Sequence, residues 1–262
     1  MKTVICDMSG IASIKGKNNE LLLDTLQSLK NMQYTFCTGK GFLGTCDTLK
    51  NNKLSLPIIC ENGALIIEQS GNRIFEDIID YSKIKKLVNY LYQNTNYEFI
   101  ACCNLKTNKY KFLYNEKKIK EQLNPNIFFN EQSFYSKDEF LNTIKDIDVI
   151  RIIYRGEKIK KNILKNISNT FEINLSEREY YNFCNIGINK KYGIEKLVKL
   201  YNLKADDIII IGNDYNDIQM FKYRCYLKIA VGGDCPKELI ELSDINVSLN
   251  DLPNLLANID KK

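Results

Sequence analysis

The segment IIIIGNDYNDIQMF, residues 208–221, opens with four isoleucines and closes on a helical pattern, with a run of Gly, Asn and Asp between them. Four apolar residues in succession do not alternate, so a strand here is buried on both faces, as in a parallel sheet covered by helices. The polar run then lies just past the carboxyl end of the strand, where open α/β sheets bind their ligands. The flanking sequence repeats the arrangement. Strand signals at 4–6 (VIC), 35–37 (TFC), 57–60 (PIIC) and 227–231 (LKIAV) alternate with helical patterns. These run through Leu21, Leu22, Leu26 and Leu29, from about Phe42, over 190–202, from about Asn216, and over 250–258. Such alternation predicts βαβ units on one parallel sheet.

Between 80 and 184 the composition changes. Helical stretches rich in Lys and Tyr (SKIKKLVNYLYQ, KDEFLNTIK, EKIKKNILKNI) interleave with strands (YEFIACC, KYKFLY, DVIRIIYR), which predicts a separate α+β domain. The expected organisation is a discontinuous α/β domain, 1–79 and 185–262, with an insertion at 80–184. Two crossing segments, near 78–82 and 184–188, join them in the layout of a hinge.

Composition narrows the chemistry. A chain of 262 residues, 44% hydrophobic and 26% charged, suits one large domain or two of ordinary size. No apolar run approaches the roughly 18 residues of a membrane span, and the first residues lack signal-peptide order, so a cytoplasmic location is expected. The net charge of +5 is divided between 37 basic and 32 acidic residues, which does not argue for a nucleic-acid partner. Nine cysteines with no CxxC pair read as free thiols in a reducing compartment. Histidine is absent, which excludes His-based triads, His metal sites and imidazole acid–base catalysis. Chemistry falls to carboxylates, lysine, hydroxyls, thiols or a metal held by oxygen.

Four places lie just past strand ends or open a helix: Asp7, Thr38–Gly39–Lys40, Lys190, and GNDYND at 212–217. Their types complement one another. A carboxylate can attack, a hydroxyl and amides can hold phosphate oxygens, an ammonium can neutralise charge, and Asp and Asn oxygens can hold Mg²⁺. Taken singly, each has a plainer reading as a turn aspartate, a strand-to-helix turn, a solvated lysine or an N-cap loop. Their order and common placement favour chemistry.

The strings DMSGIAS (7–13), TGK (38–40), PIICENGALI (57–66), NKKYGIEKLVKLYNL (189–203), IIIIGNDYNDIQMF (208–221) and IAVGGDCPKELIELSDI (229–245) resemble the haloacid dehalogenase (HAD) superfamily, in particular its Cof-type (IIB) phosphatases. The resemblance spans both flanks of the insertion. It implies an α/β fold with a Rossmann-like parallel-sheet core and an inserted α+β cap of the C2B type, closing over the site and selecting substrate. It implies a Mg²⁺-dependent phosphohydrolase acting on a small phosphorylated metabolite, such as a sugar or polyol phosphate. By position, Asp7 matches the nucleophile, Thr38 the phosphoryl-binding hydroxyl with Gly39 and Lys40 beside it, and Lys190 the neutralising lysine. Asn213, Asp214, Asn216 and Asp217 cover the metal motif, with Asn213 where the first Asp is usual, and Asn62 is a family marker near the site. Arg151, Arg155 and the run 106–118 of the cap are candidate specificity residues.

The first motif departs from the family. Ser9 stands where family phosphatases carry the acid–base aspartate, and Ile11 replaces the following threonine. The resemblance assigns that position a backbone carbonyl on Mg²⁺, which a serine still supplies. Three readings stay open: a phosphohydrolase with a modified acid, an impaired relative that binds a phosphorylated ligand, and a different reaction at Asp7 such as phosphonate cleavage or phosphoryl transfer.

Overall fold

The computed structural model describes residues 1–49, 52–107, 109–115, 132–176 and 179–261, so part of the basic run at 106–118 lies outside the described residues. The chain divides into two compact units, Met1–Glu76 with Ile188–Lys262, and Asp77–Gly187. These boundaries fall a few residues from those expected.

The first unit is built on a five-stranded sheet in the order Ile245–Val247, Leu227–Val231, Ile208–Gly212, Lys2–Cys6, Met32–Phe36. All neighbours run parallel. Ile208–Ile211 lie inside it with no exposed surface, which is why that strand shows no polar alternation. The PIIC strand joins this sheet through a parallel bridge from Cys37 to Ile59. Ile58–Cys60 also starts an antiparallel sheet with Leu65–Ile67 and Arg73–Glu76 that the sequence pattern does not separate.

Helix Glu20–Ser28 buries Leu22, Leu23 and Leu26 and is capped by Asn19, whose side chain accepts the Leu22 N–H at 3.3 Å. Leu21, counted in the helical pattern, faces outward. Helix Lys190–Leu200 is capped by Asn189, which accepts the Tyr192 N–H at 3.1 Å, and it buries Ile194 and Leu197 among the sheet isoleucines. The helical pattern from about Asn216 is divided: a 3₁₀ turn, Tyr215–Asp217, precedes a short helix, Ile218–Phe221.

The second unit carries a six-stranded sheet in the order Gln132–Phe134, Lys109–Tyr114, Tyr97–Asn104, Val149–Gly156, Tyr180–Asn185, Phe171–Ser176. Its pairs are antiparallel except at the Gln132–Phe134 edge. Ile100, Cys102, Ile152 and Phe183 pack with Leu87, Leu91 and Phe140 of the helices Tyr81–Asn94 and Lys137–Ile144. Phe99, Ala101 and Phe112 form a separate aromatic cluster with Tyr110, Tyr114, Ile153 and Tyr180. Asn185 ties the two segments that connect this unit to the rest of the chain, donating to Asp77 Oδ1 at 2.6 Å and to the Ile78 carbonyl at 3.1 Å. Among the described residues no helix is long and apolar enough to cross a membrane.

Candidate active site

Asp7 extends the parallel ladder by one bond, its N–H donating to the Ile211 carbonyl at 2.8 Å. The carboxylate is thereby presented at the carboxyl end of the sheet, 2% exposed. The loop that follows is held from within. Met8, Ile11 and Ala12 are fully buried, the Ser13 N–H donates to the Met8 carbonyl at 2.8 Å, and the Gly10 N–H donates to the Ser13 carbonyl at 2.8 Å. Ile11, unusual for the motif, thus serves as an apolar anchor. Gly10 has a φ of +78°, and a Cβ there would lie 2.4 Å from Asn213 Nδ2, so the turn needs glycine twice over.

Lys190 begins its helix with no exposed surface, and its Nζ lies 2.6 Å from Asp7 Oδ1 and 2.5 Å from Asp217 Oδ1. The other oxygen of Asp217 accepts the N–H of Asn213 at 2.7 Å and that of Asp214 at 2.9 Å. The Asp214 side chain in turn accepts the Asp217 N–H, closing a capping box on the 3₁₀ turn. Burial, and then Asp217, push Asp7 from an ordinary 3.8 up to about 7, with Lys190 and the Met8 N–H pulling the other way. Burial works against the Lys190 ammonium, but Asp217 and Asp7 outweigh it and its pKa is raised. The Cys6 and Cys37 thiols beside them are pushed up, chiefly by burial, so neither supplies a thiolate.

Thr38 is fully buried, its N–H donating to the Ile59 carbonyl at 2.8 Å and its Oγ1 accepting the Lys40 N–H at 3.1 Å. The Lys40 ammonium reaches Ser13 Oγ at 3.1 Å, a contact that no motif announced. Behind this loop sits the elbow Glu61–Asn62, both left-handed with φ of 53° and 54°. Its N–H groups donate to the Lys40 and Thr38 carbonyls, each at 3.1 Å. Asn216 Nδ2 donates to Asn62 Oδ1 at 3.1 Å, and the two amides stand over Gly39, where a Cβ would meet them at 3.2 and 3.0 Å. Asn62, Asn216, Thr38, Gly39 and Lys40 are therefore one cluster. An Asn-Gly pair in ENGA signals a turn, but nothing local signals what the turn grips.

Arg151 and Arg155 lie in the second unit. Arg151 is buried, bonding Asn182 Oδ1 at 3.2 Å and the Tyr110 hydroxyl, and Arg155 pairs with Glu98 at 3.2 Å and Glu179 at 3.3 Å.

The chemistry of the donor set bears on a metal. Among the described residues no group of three or more acidic or thiol side chains is placed to hold an ion. Asp217 is taken up by Lys190 and two amides, and Asp214 by its cap, although both belong to the expected metal motif. Asn213 Oδ1, by contrast, is a buried oxygen with no hydrogen-bond partner among the described residues. By donor chemistry Asn213 Oδ1 and the Asp7 carboxylate are hard oxygens of the kind Mg²⁺ takes, an ion that commonly binds one or two carboxylates and completes its shell with water and phosphate.

A model of the haloacid dehalogenase-like hydrolases matches residues 8–250. The chain belongs to this family. The parallel-sheet unit with its inserted α+β unit matches the HAD fold of a Rossmann-like core and an inserted cap domain. An uncharacterised protein of Mycoplasma capricolum is 28% identical over 203 residues, 74% of either chain. Among solved structures, a HAD/COF-like hydrolase from Plasmodium vivax superposes with a TM-score of 0.80 at 17% identity, covering 100% of this chain and 96% of that one. A HAD subclass IIB sugar phosphatase superposes with a TM-score of 0.77 at 16% identity, covering 100% and 98%. At these identities the two structures speak for the fold.

Proposed function

We propose that this HAD protein is a Mg²⁺-dependent phosphohydrolase that releases phosphate from a small phosphorylated metabolite through an aspartyl phosphate on Asp7. The observation that carries the reading is the buried Asp7–Lys190–Asp217 chain, with contacts of 2.6 and 2.5 Å, at the carboxyl end of a parallel sheet. In this reading Asp7 attacks phosphorus, Lys190 neutralises the carboxylate and the incoming phosphoryl group, and the Thr38 hydroxyl and Gly39 N–H hold phosphoryl oxygens. Asp217 keeps Lys190 and the 213–217 loop in place. Asn216, steadied by Asn62, and Lys40 line the phosphoryl position. The Asp7 carboxylate, the Ser9 carbonyl and Asn213 Oδ1 would hold Mg²⁺, with Asp214 and Asp217 shaping the loop behind them. Bound there, the ion would neutralise charge on the phosphoryl oxygens. Arg151 and Arg155, each set against a tyrosine ring of the cap, are proposed to tune substrate choice. The nine free thiols are consistent with a reducing, cytoplasmic setting.

The test is phosphate release with and without Mg²⁺ across sugar, polyol, nucleotide and amino-alcohol phosphates, with Asp7→Asn as the contamination control. Sugar and polyol phosphates are included because a sugar phosphatase shares the fold. Selective release that needs Mg²⁺ and vanishes in Asp7→Asn is the expected result. Ser9 favours a second reading, a module that binds a phosphorylated ligand without turning it over. Its mark is a Mg²⁺-dependent thermal shift by a panel compound together with no phosphate release.

A further inference from the structure

Cleaving a phosphate ester sends an electron pair onto the leaving oxygen, and an alkoxide needs a proton as it forms. A positioned acid typically supplies about 10²- to 10⁴-fold in rate for that step. The family resemblance puts that acid two residues after Asp7, where this chain carries Ser9, in a loop that buried Met8, Ile11 and Ala12 pin to the core. A serine hydroxyl donates a hydrogen bond but yields no proton near neutral pH. The neighbouring charged groups are committed by geometry. Asp217 receives Lys190 on Oδ1 and two backbone N–H groups on Oδ2, so both of its oxygens already accept hydrogen bonds. Asp214 accepts the Asp217 N–H. Lys190 directs its protons at two carboxylates, and the Lys40 ammonium is bonded to Ser13 Oγ.

Resting on the phosphohydrolase reading of Asp7, we propose that this site acts on phosphoryl groups whose leaving oxygen departs as a stable anion: phosphoanhydrides and acyl, enol or aryl phosphates, in preference to alkyl esters. An Asp7 oxygen attacks phosphorus, the bond from phosphorus to the leaving oxygen breaks, and its electron pair departs with that oxygen, which takes up no proton. Water then attacks the same phosphorus. The bond to Asp7 breaks with its electron pair returning to the carboxylate, and both water protons depart on dihydrogen phosphate. Sugar and polyol phosphates, being alkyl esters, are the slow members of the panel.

The experiment measures kcat/KM of the full chain with Mg²⁺ on a graded series of substituted phenyl phosphates, with acetyl phosphate and glycerol phosphate at the extremes. Asp7→Asn is the control and Ser9→Asp runs alongside. In the wild type, log kcat/KM is expected to fall steeply as the leaving group becomes less acidic, with p-nitrophenyl phosphate outrunning glycerol phosphate by at least about 10²-fold. Ser9→Asp is expected to flatten the slope by raising the poorest leaving groups most. A flat wild-type series with activity lost in Asp7→Asn overturns the proposal and leaves the phosphohydrolase reading standing. Silence on every ester from folded protein overturns both. A slope unchanged in folded Ser9→Asp overturns the assignment to residue 9, and if that variant does not fold, the wild-type slope decides the substrate class alone.

Discussion

Burying an ammonium is strongly unfavourable unless its charge is met, and Lys190 meets two carboxylates with no exposed surface of its own. Removing the lysine leaves two buried carboxyl groups facing one another without their shared ammonium. Lys190→Ala is therefore expected to cost about 3–5 kcal/mol in urea unfolding, the range for breaking a buried pair from one side. Asp7 works in the other direction. Its pKa, raised to about 7 by burial and Asp217, means that the folded chain keeps a proton the unfolded chain has released near 3.8. Its contribution to stability is complete below the unfolded value and is lost as the pH rises through about 7. In chelator, Asp7→Asn should melt above the wild type at pH 8 and level with it near pH 4, while abolishing turnover. A thermal melt at the two pH values checks the first half, and equal shifts at both would count against a strained Asp7.

At the scale of elements, the elbow after the Ile58–Cys60 strand connects three pieces of the site. Its amides hold the Thr38–Lys40 loop, Asn62 holds Asn216, and Gly63 packs against the start of the Lys190 helix, where a Cβ would lie 2.2 Å from the Asn189 carbonyl oxygen. Gly63→Ala combines that clash with a φ of +98°, so it must displace the helix that carries Lys190. It is expected to lower the urea midpoint and kcat together. Asn62→Gly keeps the left-handed backbone at ease and deletes only the amide, so stability should change by no more than about 1 kcal/mol while kcat falls. Measuring both quantities on both variants separates the two roles. Equal stability losses would mean that Asn62 acts through the backbone alone.

The whole molecule is two cores on one chain. The connecting segments of the cap are tied at Asn185 and Asp77, 2.6 Å apart, so the chain leaves the HAD core and returns to it from neighbouring positions. Replacing residues 77–187 by a short Gly/Ser linker therefore closes a small gap, and the loop-closure cost changes little. The joined segments 1–76 and 188–262 should keep α/β circular dichroism and a single cooperative melt. A melt without cooperativity would show that the core depends on the cap for its stability.

Much of this was legible in the amino-acid sequence because burial leaves a local mark. Four isoleucines at 208–211 report a strand covered on both faces, the alternation of strands and helices reports a parallel sheet, and Asp7, Thr38 and Lys190 stand where such a sheet presents its chemistry. The lack of histidine and the serine at position 9 narrow the chemistry before any folding is considered. Only the tertiary structure decided the division of labour among like residues. Asp217 is Lys190's partner, Asp214 is a cap, and Asn213 Oδ1 is a buried oxygen with no hydrogen-bond partner among the described residues. The Arg151 charge is spent inside the cap sheet, and Lys40 finds Ser13. The reason is physical. Local patterns record which face of an element is buried, whereas Lys190 and Asp7 are 183 residues apart, and their contact depends on strand order and register, to which no short stretch of chain is sensitive.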